Sequence, residues 1–415
     1  MSKINSKTTR TITLGCRFNF YESEVMKLSE DLVSDGEDTI IINTCSVTRE
    51  AERQSKQIVR KAIRENIGAK IIVTGCAAKT ARDYFENLSG VAKVVQNEDK
   101  GDMDISKLQT GQSHYLFESR ARAFLQIQNG CDHFCSYCIV PITRGRSKSV
   151  PPDFILKHID YFVDRGFNEI VLSGIDITSY GKDSSDLSEP YDLHVILEKV
   201  LERTHLYKTR LRLSSIDPAA VNQNLLNLFL FEPRMMPYFH FSIQSGNNEV
   251  LKVMRRRHSR EDVIELCSQI RKNRNQSVIG GDLIVGFPTE TDAMFDDSLN
   301  LVDDAGLSLI HVFPYSARNG TLAAQMINLP ATIIRERAAK LKEKANFAKT
   351  SLLRTLIGTT ISGLIEKRDH TVSIGKSDSY LPFRVNHPFR SGEVVHDLKV
   401  IDVNQDELVA ESNNV

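Results

Sequence analysis

Residues 124–138 read Phe124-Leu125-Gln126-Ile127-Gln128-Asn129-Gly130-Cys131-Asp132-His133-Phe134-Cys135-Ser136-Tyr137-Cys138. The run Ala123–Gln128 predicts a strand, and the cysteines follow it directly. Cys131, Cys135 and Cys138 stand at C-x3-C-x2-C spacing. Three thiolates on one short loop can hold three corners of an iron–sulfur cube and leave the fourth iron open to a small molecule. Structural zinc wants a closed set of four ligands. No fourth cysteine lies nearby, although His133 inside the loop keeps a zinc set open as an alternative. Tyr137, next to Cys138, offers an aromatic face beside the cysteine loop, with simple loop packing as the alternative.

Outward toward the C-terminus, further candidate strands are Glu169–Ser173, Leu211–Ser215, Phe239–Ile243, Asp282–Val285 and Leu309–Phe313. Helical patterns separate them, so the segment predicts a barrel or partial barrel of six β/α units. Ligand sites in such folds gather at the C-terminal ends of strands. Gly174, Asp176, Ser215 and Gln244 occupy those positions and are candidate contacts for a small-molecule cofactor. A helix is expected over residues 331–349, with six basic and two acidic side chains. Short β-type runs then predict a small all-β tail, with strands at Thr359–Leu364, Thr371–Ile374, Phe383–Val385, Val394–Val395 and Lys399–Val403.

Toward the N-terminus, strands are expected at Thr11–Leu14, Thr39–Ile42, Lys70–Val73 and Val91–Val95, with helices over 20–34 and 49–65. This alternation predicts a parallel sheet flanked by helices. Cys16, Cys45 and Cys76 each follow the end of one of these strands. In an open parallel sheet those ends line one edge, so three cysteines far apart in sequence converge there. Gly15 and Gly75 beside them allow close backbone approach. The seventh cysteine, Cys267, shares an i, i+3, i+4, i+7 stripe with Val263, Leu266 and Ile270 and reads as a core thiol.

The 415-residue chain has 41% apolar and 26% charged residues, with 53 Lys+Arg against 53 Asp+Glu. That excludes disorder and a small disulfide scaffold, and global charge gives no sign of a nucleic-acid partner. No signal peptide or membrane span is read, so the expected location is the cytoplasm, with reduced cysteines. Local basic groups can still meet phosphate: Lys252, Arg255, Arg256, Arg257 and Arg260 form a run without an acid, which otherwise reads as a solvated helix face. The tail from residue 352 carries seven basic and nine acidic residues and favours RNA only through a local patch or aromatics such as Tyr380 and Phe383.

The C-x3-C-x2-C loop after the first barrel strand resembles the radical S-adenosylmethionine (SAM) superfamily. The second cysteine set ahead of it and the β tail resemble, more narrowly, the methylthiotransferases of that superfamily. Supporting segments are Thr143-Arg144-Gly145-Arg146, Gln244-Ser245-Gly246 and Gly286-Phe287-Pro288-Thr289-Glu290-Thr291. The stretches Ile42–Thr48, Arg212–Pro218 and His311–Ser316 look closest to the branch that modifies threonylcarbamoyl-adenosine in tRNA. Phe18, Phe20 and Thr289 depart from the usual pattern.

The resemblance implies an α/β chain in three parts: an N-terminal parallel α/β cluster domain (1–115), a partial (β/α)6 radical SAM barrel (116–350) and a small C-terminal β-barrel like the RNA-binding TRAM domain (351–415). It implies two 4Fe–4S clusters. The one on Cys131, Cys135 and Cys138 would bind and reductively cleave SAM, and the one on Cys16, Cys45 and Cys76 would hold or donate sulfur. The substrate would be the base at position 37 in the anticodon loop of a tRNA. Partners would include an electron donor and a sulfur source, and no membrane. Arg144 and Arg146 are candidates for gripping the threonyl carboxylate, with phosphate or the SAM carboxylate as alternatives. Competing readings are a methylthiotransferase for isopentenyl-adenosine or for a ribosomal-protein aspartate, and a non-catalytic metal- and RNA-binding protein.

Overall fold

The computed structural model describes residues 9–27, 38–100, 117, 120–183 and 191–412. Much of the connector expected over 97–116 and the end of the helix expected over 20–34 lie outside the described residues. The chain groups into two compact units. One contains the chain up to Glu118 with Asn129–Lys148 and Ser316–Ala324; the other contains Ser119–Gln128, Ser149–Tyr315 and Gln325–Val415.

The first unit is built on four parallel strands in sequence order, β1 (Thr9–Thr13), β2 (Thr39–Thr44), β3 (Lys70–Gly75) and β4 (Val91–Val95). Ile40, Ile42, Ile71 and Val73 bury one face with Val59 and Phe85, while Ile41, Ile72 and Val95 bury the other with Met26. Burial on both faces explains why β2 and β3 read as unbroken apolar runs rather than alternations. Helix Arg49–Glu65 starts at Thr48, whose hydroxyl accepts from the Ala51 N–H, and carries Glu50 and Glu52 in its first turn. Both features favour a helix start. The register pairs Thr13 with Asn43 and Thr44 with Gly75, so the strands finish along one edge.

In the second unit the strands are β5 (Ala123–Asn129), β6 (Lys148–Ser149), β7 (Glu169–Gly174), β8 (Arg210–Leu213), β9 (Tyr238–Gln244), β10 (Val278–Val285) and β11 (Leu309–Pro314). Two sheets, β6-β5-β7-β8 and β11-β10-β9, are linked by the bridges Leu211–Met235 and Ile216–Phe241. Together they make the six-unit parallel array expected from the sequence, with the two-residue β6 as an unforeseen addition. Strand β8 stops at Leu213, so Ser215 lies beyond it rather than at its end. Strand β10 starts four residues earlier than expected because Gly280 and Gly281 weaken the sequence signal. A Cβ on Gly280 would lie 2.5 Å from the Leu309 carbonyl oxygen, so β11 requires that glycine.

The tail is a closed barrel of β12 (Thr360–Arg368), β13 (Ser373–Ser377), β14 (Pro382–Val385), β15 (Val394–Asn404) and β16 (Glu407–Ser412), in order β12-β13-β14-β16-β15. The two runs expected at 394–395 and 399–403 are one strand. Asp397, at φ +54°, turns the backbone without ending it. The helix expected over 331–349 continues to Thr355, and Leu353 enters a core shared with Tyr238, Val278, Ile361 and Phe383. Fully buried Glu169 lies against Arg122 (2.7 Å), Arg210 (3.0 Å) and Arg212 (2.8 Å), and Arg210 continues to Asp378 at 2.8 Å. Glu169, Arg210, Tyr238 and Val278 all begin their strands. The tail therefore caps the N-terminal ends of the array.

Candidate metal centre

The edge of the first sheet gathers Cys16, Cys45 and Cys76. Cys16 caps helix Arg17–Met26, Cys45 follows β2 and Cys76 opens the short helix Cys76–Thr80. Gly15 and Gly75 have φ of +89° and +94°, where a side chain is strained. A Cβ on Gly15 would lie 3.0 Å from the Cys45 Sγ, and one on Gly75 2.3 Å from the Thr44 carbonyl oxygen. Ser55 braces Cys45, accepting from its N–H at 3.1 Å and lying 2.9 Å from its carbonyl oxygen. Burial pushes the Cys45 thiol up to about 11, with Cys76 and Cys16 adding to the rise. Cys16 is exposed on one side, yet the protein packed around its sulfur also raises its pKa. Thiols held this way ionise only against a positive partner.

That partner charge is built in. Arg144 is buried and donates to Glu22 Oε1 at 2.9 Å and to Asn19 Oδ1 at 2.6 Å, and Lys100 meets Glu22 Oε2 at 2.6 Å. Burial opposes ionisation of Glu22, but the two cations outweigh it and hold the pKa at about 2. Two cations on one carboxylate leave one positive charge over, and Arg144 acts electrostatically on both Cys16 and Cys76. A buried excess of this sign fits an anionic thiolate set. The guanidinium also stacks 4.3 Å from the Phe18 ring, which gives that departure from the family pattern a structural role.

Arg144 and Arg146 are held differently. The Arg144 guanidinium is committed to Glu22 and Asn19 and is not presented to a substrate carboxylate. Arg146 is different: its side chain is exposed, 3.1 Å from Asp132 and 4.9 Å over the Phe134 ring. Sequence reading missed Glu22 and Asn19. The available signal was two polar residues on helix positions that pack inward.

The loop Cys131–Cys138 belongs to the same compact unit. The Cys131 N–H donates to Gly145 O at 3.1 Å, and the Cys138 N–H to Cys135 O at 3.0 Å. Cys135 is buried, Cys131 and Cys138 are partly so, and Tyr137 is half-buried. Segment Ser316–Ala324 braces this unit. Ala323 N–H donates to Ser136 O at 2.7 Å, Arg49 reaches Ser316 and Ala317, and Arg318 pairs with Glu52. Each set offers three thiols, the donor count of an iron–sulfur cube with one iron left open.

In the second unit Gly174, Asp176, Ser215 and Gln244 lie at or just beyond strand ends. The Asp176 N–H donates to Gln128 Oε1, and its carboxylate accepts from Thr178 and Ser179. The Gly174 N–H donates to Ser214 Oγ at 3.2 Å, and Gln244 takes φ +76°. The arginine run is mostly claimed by the chain itself. Arg256 and Arg257 bind Asp217, and Arg260 binds Asp304 and the carbonyls of Gly246 and Asp297. Lys252 and Arg255 remain exposed.

Residues 125–302 match the radical SAM superfamily, and residues 8–96 match an uncharacterized protein family, UPF0004. Threonylcarbamoyladenosine tRNA methylthiotransferase MtaB of Rickettsia prowazekii is 38% identical, covering 94% of each chain. The protein of the same name from Bacillus subtilis is 31% identical, over 89% of this chain and 88% of that one. A tRNA-2-methylthio-N(6)-dimethylallyladenosine synthase of Staphylococcus haemolyticus is 30% identical over 88% of this chain and 77% of its own. The fold is also similar to the radical SAM methyltransferase TsrM of Kitasatospora setae, solved with cobalamin and a [4Fe-4S] cluster. There the TM-score is 0.50 at 12% identity, over 75% of this chain and 76% of that one. With the cysteine loop, the parallel array and these whole-length similarities together, the chain belongs to the radical SAM methylthiotransferase family.

Proposed function

We propose that this enzyme converts N6-threonylcarbamoyladenosine at position 37 of tRNA, beside the anticodon, to its 2-methylthio derivative. The observation that carries the reading is the 38% identity, across 94% of both chains, to a relative named for that substrate. The C2–H of adenine is not acidic, so side-chain acid–base catalysis cannot remove it. A 4Fe–4S cluster with one iron free of protein ligands, together with SAM, supplies that step.

Cys131, Cys135 and Cys138 would hold this cluster, with Tyr137 beside the adenine of SAM. Gly174, Asp176, Ser215 and Gln244 would line the remainder of the cofactor. Cys16, Cys45 and Cys76 would hold a second cluster as the sulfur site, with Arg144 and Lys100 balancing its charge through Glu22. Arg146 would meet an anionic group of the RNA or cofactor. An electron donor and a sulfur source complete the reaction. No helix among the described residues is long and apolar enough to cross a membrane.

The test is mass spectrometry of tRNA nucleosides from cells with and without the gene. The 2-methylthio derivative of threonylcarbamoyl-adenosine should vanish on deletion, its precursor should accumulate, and the isopentenyl series should not change. Loss of the isopentenyl product instead would refute the substrate assignment while leaving the enzyme class intact.

A further inference from the structure

We propose that His240, Asp282 and His311 form a binding site for a divalent metal ion of the zinc type, separate from both cysteine sets. The three side chains come from neighbouring parallel strands: His240 from β9, Asp282 from β10 and His311 from β11. Register pairs His240 with Gly280, and Asp282 with His311. Side chains alternate along a strand, so Gly280 and Asp282 share one face of β10, and both histidines stand on it.

The donor atoms stand close to the spacing of a single ion. His240 Nε2 lies 2.8 Å from Asp282 Oδ1, and His311 Nδ1 lies 3.1 Å from the same oxygen. All three atoms lie within 4.8 Å of one another. A tetrahedral zinc with bonds of about 2.0–2.1 Å sets its donors roughly 3.3–3.4 Å apart, so small outward shifts of the two rings admit it. Two imidazoles and a carboxylate are also the donor set of zinc sites that leave a fourth position to water. The His311 side chain is 63% exposed and gives the ion a way in, while His240 and Asp282 are mostly covered.

Both histidines bind as neutral imidazoles, each with its one proton on the nitrogen away from the metal. In His240 that nitrogen is Nδ1, 3.0 Å from Tyr238 Oη, which accepts the proton. A partner of this kind fixes the tautomer and orientation of a metal-bound histidine. Tyr238 is itself held by stacking on Tyr380 of the tail, with ring centroids 5.2 Å apart. Gly280 leaves room for the pair, because a Cβ there would lie 2.7 Å from Tyr238 Oη and 3.0 Å from His240 Nδ1. Position sets the role. Tyr238 starts β9 at the end that the tail caps, and Gln244, the candidate cofactor contact, closes the other end of that strand. Strand β11 is the outer strand of its sheet, and Leu309 at its start packs on the tail core. An ion shared by three strands pins this outer strand to β10 and β9, so the site is structural and takes no part in the radical chemistry.

The experiment dialyses the anaerobically reconstituted full chain to equilibrium against Zn²⁺, then reads bound zinc by elemental analysis and its ligands by X-ray absorption at the zinc edge. Wild type should hold about one zinc, with nitrogen and oxygen neighbours at about 2.0–2.2 Å and no sulfur at about 2.3 Å. His311→Ala changes an exposed side chain, so it should fold, keep the wild-type iron content and SAM cleavage, and lose the zinc. Tyr238→Phe keeps the stacked ring and removes only the hydroxyl, and it should weaken zinc binding roughly 10-fold, the lower end for a group that orients a ligand. Zinc should raise the melting temperature of wild type and leave that of His311→Ala unchanged. No zinc on wild type, a first shell of sulfur, or full zinc retention by His311→Ala would each overturn the inference. The measurement needs no tRNA, so its failure leaves the substrate reading untouched.

Discussion

The two cysteine sets are brought together by opposite routes. Cys131, Cys135 and Cys138 are adjacent in sequence, and their loop is shaped by its own turns and by Gly145. Cys16, Cys45 and Cys76 come from three strand ends, and only the register of β1, β2 and β3 brings them to one edge. The local set is a property of a loop. The dispersed set is a property of a folded sheet, so it inherits every requirement of that sheet, including the buried charges beneath it.

Removing either set should give the largest effect and separate the roles. Changing Cys131, Cys135 and Cys138 to Ala should abolish both SAM cleavage and methylthiolation. Changing Cys16, Cys45 and Cys76 to Ala should abolish methylthiolation and leave SAM cleavage. Each triple variant should retain about four of about eight irons. Iron and sulfide analysis with product detection checks this, and methylthiolation by the second variant would remove the dispersed set from the mechanism.

Single glycines offer a sharper comparison. Gly130 has φ +70°, with a Cβ position 1.9 Å from the Arg146 carbonyl oxygen; Gly75 has φ +94°, with one 2.3 Å from the Thr44 oxygen. Alanine at either costs of order 1–3 kcal/mol from backbone strain alone. Gly130→Ala should deplete the loop cluster, and Gly75→Ala the sheet-edge cluster. Equal depletion of both by one substitution would mean that the two sets are not built independently.

Acid should weaken the dispersed set through Glu22. Its folded pKa of about 2 is below the ordinary 4.5, so its contribution is complete above about pH 4.5 and is lost as pH falls toward 2. Urea unfolding between pH 5 and pH 3 should show this slope, and Glu22→Gln should flatten it. The smallest effect is expected at Cys267, whose thiol is pushed up to about 12 by burial in helix Arg260–Asn273. Cys267→Ala should cost about 1 kcal/mol and leave the iron content unchanged.

Legibility followed the same division. The loop was readable from spacing, and the sheet-edge set from its repeated position after strands, because topology converts that position into proximity. What escaped was the interior chemistry between elements. Arg144 looked like a free cation because nothing in its neighbourhood shows that Glu22, 122 positions earlier, holds it. The strand start at Val278 was hidden by Gly280 and Gly281, whose lack of side chains serves neighbouring strands. Strand β15 was split in two because a single left-handed residue, Asp397, looks like a turn to a local reading.

Segment Ser316–Ala324 also sets a clock on biogenesis. Arg49 and Ser316 are 267 positions apart, and Ser136 waits for Ala323. At about 5–20 residues per second, a ribosome needs on the order of tens of seconds to deliver the brace after the first sheet has emerged. Under the proposed function, the six cysteines stand without that brace before then. Loading of the proposed clusters is therefore a step for the finished chain, and a cell that expresses this protein faster than it can supply iron and sulfide should accumulate folded but empty enzyme.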